Sequence, residues 1–138
     1  MRALLQRVTS ASVAVDGQVL ATIGPGLLVL LAITHGDDDA VADRLAAKVR
    51  ALRLFEDAEG RMNEALGERE ILAISQFTLY GDARKGNRPS FLAAAAPAHA
   101  EPLYRRFCEQ AMAKRGVFGA HMAVELVNDG PVTLLLEM

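Results

Sequence analysis

The hydrogen-bonding side chains that could do chemistry gather at Ser75-Gln76-Phe77-Thr78-Leu79-Tyr80, the end of an apolar run opened by Ile71. Gln and Thr side chains, together with exposed backbone N–H groups, can meet a substrate carbonyl and stabilise the charge that develops on its oxygen. Read as one strand, the segment places Ser75, Phe77 and Leu79 on one face and Gln76, Thr78 and Tyr80 on the other. The plainer alternative is a strand end that turns polar as it nears the surface. A second segment, Asn128-Asp129-Gly130-Pro131-Val132-Thr133, interrupts an apolar pattern running from Ala123 to Leu136. Gly and Pro are poor material for a central strand, and Asn, Asp and Gly are turn residues, so a hairpin turn is the local expectation. The same pair is also suited to presenting bare backbone carbonyls to a ligand.

Other catalytic inventories are empty. There is no Gly-x-Gly-x-x-Gly, no Walker-type loop and no His-Glu-x-x-His, so no cofactor and no metal is expected. The three histidines, His35, His99 and His121, lack metal-ligand spacing and read as ordinary surface or loop residues. Ser75 could be combined with any of them in a triad, but nothing selects the partner. Cys108 falls beside the apolar face of a helix and reads as a small core thiol.

With a net charge of −2, the chain has no general pull toward nucleic acid, and RNA binding would need a local patch. Arg84-Lys85-Gly86-Asn87-Arg88 is the best such patch, with Arg84, Lys85 and Arg88 as its cations. Arg105-Arg106 and Lys114-Arg115 are alternatives on a helix. The single cysteine fits a reducing compartment, and the first residues do not read as a signal peptide, so a cytoplasmic location is expected. No apolar run is long enough to cross a bilayer.

The elements that must position these residues read as α+β in a single domain over residues 1–138, with a mainly antiparallel or mixed sheet and two main helices. Ser12–Val15 and Gln18–Ile23 flank Asp16-Gly17, a two-residue hairpin signal. Leu27–Ile33 is a continuous apolar run suited to a strand buried on both faces, and Ile71–Tyr80 is the second such candidate. Asp37-Asp38-Asp39 caps a helix whose Val41, Leu45, Val49 and Leu52 share a face. Residues 57–61 read as a turn and Gly81–Ser90 as a polar loop. A second helix begins near Ala98, holds Pro102 in its first turn, aligns Leu103, Phe107 and Ala111, and stops at Gly116.

Several blocks in order carry a resemblance. Met1-Arg2-Ala3 with Gln6-Arg7-Val8 opens it. Leu54-Phe55-Glu56-Asp57 with Met62-Asn63 follows, then Ser75-Gln76-Phe77-Thr78-Leu79 and Lys85-Gly86-Asn87-Arg88-Pro89-Ser90-Phe91. Gly116–Met122 and Asn128-Asp129-Gly130-Pro131-Val132-Thr133 complete it. Together they span nearly the whole chain, which resembles the D-aminoacyl-tRNA deacylase family.

The resemblance implies a sheet curled toward a barrel and a homodimer with active sites at its interface. It implies hydrolysis of the ester linking a D-amino acid, or glycine mischarged on tRNA-Ala, to the 3′ end of tRNA. Ser75, Gln76, Phe77 and Thr78 would form the catalytic wall. Gly130 and Pro131, joined by a cis peptide bond, would reach in from the partner subunit as a chiral gate braced by Arg7. Two chemistries stay open: Thr78 as nucleophile, or the tRNA 2′-hydroxyl assisting attack while backbone N–H groups near Phe77 and Thr78 hold the oxyanion. A non-catalytic RNA- or ligand-binding module and a hydrolase of free esters are the rival functions.

Overall fold

A computed structural model describes residues 1–138. In chain order the elements are β1 (Arg2–Val15), β2 (Gln18–Ile23), β3 (Gly26–Ala32), α1 (Asp39–Ala51), β4 (Phe55–Glu56), β5 (Met62–Glu64) and β6 (Glu70–Ser75). A 3-10 turn (Phe77–Tyr80), α2 (Pro97–Ala111), β7 (Lys114–Arg115) and β8 (Ala123–Glu137) follow. The main sheet runs β2-β1-β3-β6-β7, with β8 on the free side of β1. Pairings β3–β6 and β6–β7 are parallel and those of β1 antiparallel, so the sheet is mixed, as expected. The sheet curls until β2 approaches β6 and β7, and Lys114 Nζ donates to the Thr22 carbonyl at 2.9 Å across the seam. The result is a nearly closed barrel.

Both apolar runs are buried on two faces because this curl gives the sheet two cores. Leu27, Val29 and Leu31 of β3, with Ile71 and Ala73 of β6, face the helices. Leu28, Leu72 and Ile74 point the other way into the barrel, with Val8, Val13 and Ile23. Strand β1 serves both cores by changing parity. Ala3 and Leu5 face the helices, whereas Ala11 and Val13 face the barrel. A register shift between Val8 and Ser10 absorbs the extra residue.

Helix α1 begins at Asp38, whose carboxylate accepts from Val41 N–H at 2.9 Å, and buries Leu45 and Val49. Helix α2 buries Leu103, Phe107 and Ala111. Arg106 ties the two helices together with a bidentate pair to Asp43, both contacts at 2.7 Å. Two details differ from the sequence reading. Pro102 lies beyond the first turn of α2, which starts at Pro97. The helix ends at Met112, in the left-handed region with φ 53°, and not at Gly116, which lies past β7.

The N-terminal ammonium of Met1 sits 2.7 Å from Asp37, a buried carboxylate that also accepts from Thr34 N–H at 2.7 Å. This fixes the start of β1 against the loop leading into α1.

Candidate active site

The segment Ser75–Tyr80 is not a continuous strand. Strand β6 pairs with β3 only as far as Ser75 opposite Leu31, and Gln76 N–H makes the last contact, to the Leu31 carbonyl at 2.7 Å. With no further partner the chain coils into the 3-10 turn, and the two-face alternation expected of this segment does not occur. In its place, the leading N–H groups of Phe77 and Thr78 have no intrahelical acceptor, as at any helix start. The Gln76 side-chain amide donates to Thr78 Oγ1. Arg2 closes the other end. Its Nη1 donates to the Leu79 carbonyl at 2.8 Å, its guanidinium lies 4.5 Å from the Tyr80 ring centroid, and its Nε pairs with Glu137. Partial burial, then the Asp37 charge, raises the Tyr80 phenol above its ordinary pKa.

This turn borders a cavity of about 520 Å³. Ser75, Gln76 and Phe77 form one wall, and the ends of β3 and α2 form the floor. Phe91 and the segment from Phe118 to Met122 complete it. The lining is mostly apolar. Phe77, half exposed, meets Phe91 edge to face at 5.2 Å between centroids, making an aromatic lip. Thr78 stands outside the lining. His121 is part of it, although its sequence context marked it only as a surface residue. The Gly116–Met122 block is where a sequence signal for this wall existed.

The segment Asn128–Thr133 is not a turn either. Strand β8 runs through it, pairing with β1 on both sides: Val8 opposite Asn128 and Gln6 opposite Thr133. The surplus residues of β8 stand out as a bulge opposite Arg7. Asn128 Nδ2 staples the bulge, donating to the carbonyls of Arg7 at 2.9 Å and Val132 at 3.2 Å. Buried Arg7 supports it from below: Nε donates to the Asp129 carbonyl at 3.0 Å, and Nη1 to the Leu54 carbonyl at 2.7 Å. The Gly130–Pro131 peptide is cis and both residues are exposed. Neither lines the cavity of its own chain.

Other candidates separate from the site. His35 Nε2 contacts the Leu92 carbonyl at 2.7 Å, and His99 Nε2 the Asp37 carbonyl at 2.9 Å. Cys108 is buried, and burial pushes its thiol pKa up to about 11, which leaves it unreactive near neutral pH. Arg84 folds back onto Asp82, while Lys85 and Arg88 point into solvent without an ion pair.

Residues 4–137 match the family model described as D-Tyr-tRNA(Tyr) deacylase. A D-aminoacyl-tRNA deacylase of Symbiobacterium thermophilum is 55% identical, the match covering 99% of this chain and 95% of that protein. One from Myxococcus xanthus is 54% identical, covering 99% and 94%. Among solved structures, a protein described as c-Myc DNA unwinding element binding protein superposes with a TM-score of 0.93 at 41% identity, covering 100% of this chain and 99% of that one. A probable eukaryotic D-amino acid tRNA deacylase has a TM-score of 0.87 at 18% identity, covering 99% and 98%, and shares the fold.

Proposed function

The chain belongs to the D-Tyr-tRNA(Tyr) deacylase family, and we propose that it clears D-amino acids from tRNA by reading chirality at the α-carbon. It is a hydrolase of aminoacyl-tRNA esters, with D-aminoacyl-tRNA as substrate. The proposal extends to glycine mischarged on tRNA-Ala, since glycine has no side chain for a chiral gate to reject.

One observation carries the reading. A largely apolar cavity with an aromatic lip ends at a turn whose leading N–H groups are free to bind an oxyanion. On this reading the terminal adenosine occupies the cavity with its base beside Phe77 and Phe91, and the ester lies at the turn within reach of the Phe77 and Thr78 N–H groups. Water adds to the ester carbonyl, assisted by the tRNA 2′-hydroxyl, and the N–H groups hold the resulting oxyanion. Collapse breaks the bond to O3′, which takes up the proton, and the free D-amino acid leaves. Thr78 as nucleophile has less support: its Oγ1 accepts from the Gln76 amide, and no base is bonded to it.

The Gly130-Pro131 bulge supplies the chiral gate from a second subunit. The bulge lies away from its own cavity, and β8 has an unpaired outer edge with Val127 and Leu135 more than half exposed. A homodimer joined through that face covers them and carries each bulge to the other cavity. The carbonyls of Gly130 and Pro131 then crowd an L side chain, while a D side chain points outward. Arg7 holds the bulge in position. The setting is the cytoplasm, where charged tRNA is used; no helix is long and apolar enough to cross a membrane.

The test is incubation with D-Tyr-tRNA and L-Tyr-tRNA. Release of D-tyrosine with L-Tyr-tRNA spared is expected, and absence of D-tyrosine release sinks the reading. Equal activity on a D-tyrosyl ester lacking RNA would favour a hydrolase of free esters.

A further inference from the structure

The loop between the 3-10 turn and α2 carries charge that the site described so far does not use. It is closed at its base by a reciprocal pair of backbone hydrogen bonds, Asp82 N–H to Ser90 O at 2.8 Å and Ser90 N–H to Asp82 O at 2.9 Å. Both legs rest on the candidate active site. On one side, a Cβ at Gly81 would lie 2.9 Å from the Thr78 carbonyl oxygen and 3.0 Å from the Phe91 ring, so only glycine permits this approach. On the other, Phe91 lines the cavity and packs on Phe77. The loop is therefore stationed at the mouth.

Its charges fall into two kinds. Arg84 grips Asp82 through Nε at 2.9 Å and Nη2 at 2.6 Å, and its backbone N–H donates to the same carboxylate at 3.0 Å. That exposed pair cancels its own charge. Lys85 and Arg88 have no carboxylate partner and are exposed. They are two free cations on a chain whose net charge is −2.

We infer that Lys85 and Arg88 bind backbone phosphates of the single-stranded 3′ end of tRNA as it leaves the cavity, while Arg84, neutralised by Asp82, makes no phosphate contact. The inference rests on the deacylase reading, since a terminal nucleoside in the cavity obliges the preceding phosphates to pass this mouth. Phosphate is the ligand that suits them, because it attracts both cations without demanding a base sequence.

Each phosphate contact on single-stranded nucleic acid contributes about 0.7 to the slope of log affinity against log salt. Binding of uncharged tRNA is measured from about 50 to 200 mM salt for wild type, Lys85→Gln, Arg88→Gln and the charge-neutral double variant Asp82→Asn/Arg84→Gln, with melting temperatures checking the fold. Lys85→Gln and Arg88→Gln should each flatten the slope by about 0.7, so that wild type loses roughly two- to three-fold more affinity across that range than either variant does. The double variant should keep the wild-type slope. Wild-type slopes in both single variants overturn the assignment, as does a flattened slope in the double variant. D-tyrosine release from D-Tyr-tRNA by wild type is followed in parallel. Its failure sinks the deacylase reading, whereas unchanged slopes in a deacylase that works sink this inference alone.

Discussion

Arg7 and Asp129 are joined by a 3.0 Å hydrogen bond from the guanidinium Nε to the backbone carbonyl, and a carboxylate contact at 3.1 Å reinforces it. The same guanidinium reaches the Leu54 carbonyl at 2.7 Å, so one buried cation ties the β8 bulge to the start of the β4–β5 hairpin. Arg7→Met fills a similar volume but leaves both carbonyls without their donor. A loss of about 3–6 kcal/mol in urea unfolding is expected, since two hydrogen bonds to a charged group are lost at roughly 1.5–3 kcal/mol each. Arg7→Lys, which keeps a charge but not the fork, should fall between.

Gly130→Ala should weaken chiral choice. A Cβ there would lie 2.4 Å from Asn128 Oδ1, and Asn128 is the residue that staples the bulge through Arg7 O and Val132 O. Either the asparagine or the bulge must shift. The ratio of kcat/KM for D-Tyr-tRNA over L-Tyr-tRNA is expected to drop tenfold or more, about 1.4 kcal/mol of discrimination. An unchanged ratio in a folded variant would refute the gate assignment.

Thr78→Ala should keep the deacylation rate within roughly tenfold of wild type, because the hydroxyl has no base and the backbone N–H survives the change. A single-turnover assay at saturating D-Tyr-tRNA measures this directly. Loss beyond about 10³ at an unchanged melting temperature would restore Thr78 as nucleophile, since loss of one oxyanion donor costs about 10²–10³.

The buried runs Leu27–Ile33 and Ile71–Ser75 were legible because burial on both faces leaves a continuous apolar signature. The α1 cap and the helical faces were legible because a capping Asp and a 3.6-residue apolar period are also written locally. What the sequence could not reveal was decided by which partner each segment meets. Asn, Asp, Gly and Pro serve hairpins and bulges alike, and only the pairing of both flanks with Gln6 and Val8 makes residues 128–133 a bulge. Likewise Ser75–Tyr80 alternates like a strand, but β3 offers no pairing partner beyond Leu31, so it coils. Arg84 looked like a free cation because the Asp82 beside it reads equally well as a solvated neighbour. His121 had no spacing to flag it, and its place in the cavity wall depends on how the 116–122 segment folds over the end of β6.

Cys108 sets the last prediction, through pH. Burial raises its thiol pKa to about 11 in the folded chain, against about 8.5 for a thiol in the unfolded one. The neutral thiol is the form the fold favours, so the folded state binds a proton more tightly than the unfolded state does. Its stabilising contribution is then complete below about pH 8.5 and is lost as pH rises toward 11. Melting temperature should fall over this window in wild type and fall less in Cys108→Ala, after allowing for the constant cost of the small cavity that variant leaves. The same burial should make the thiol slow to react with a disulfide reagent at pH 8, with the rate rising sharply in denaturant. Fast labelling of the native protein at pH 8 would show that Cys108 is not held in the core between α2 and the sheet.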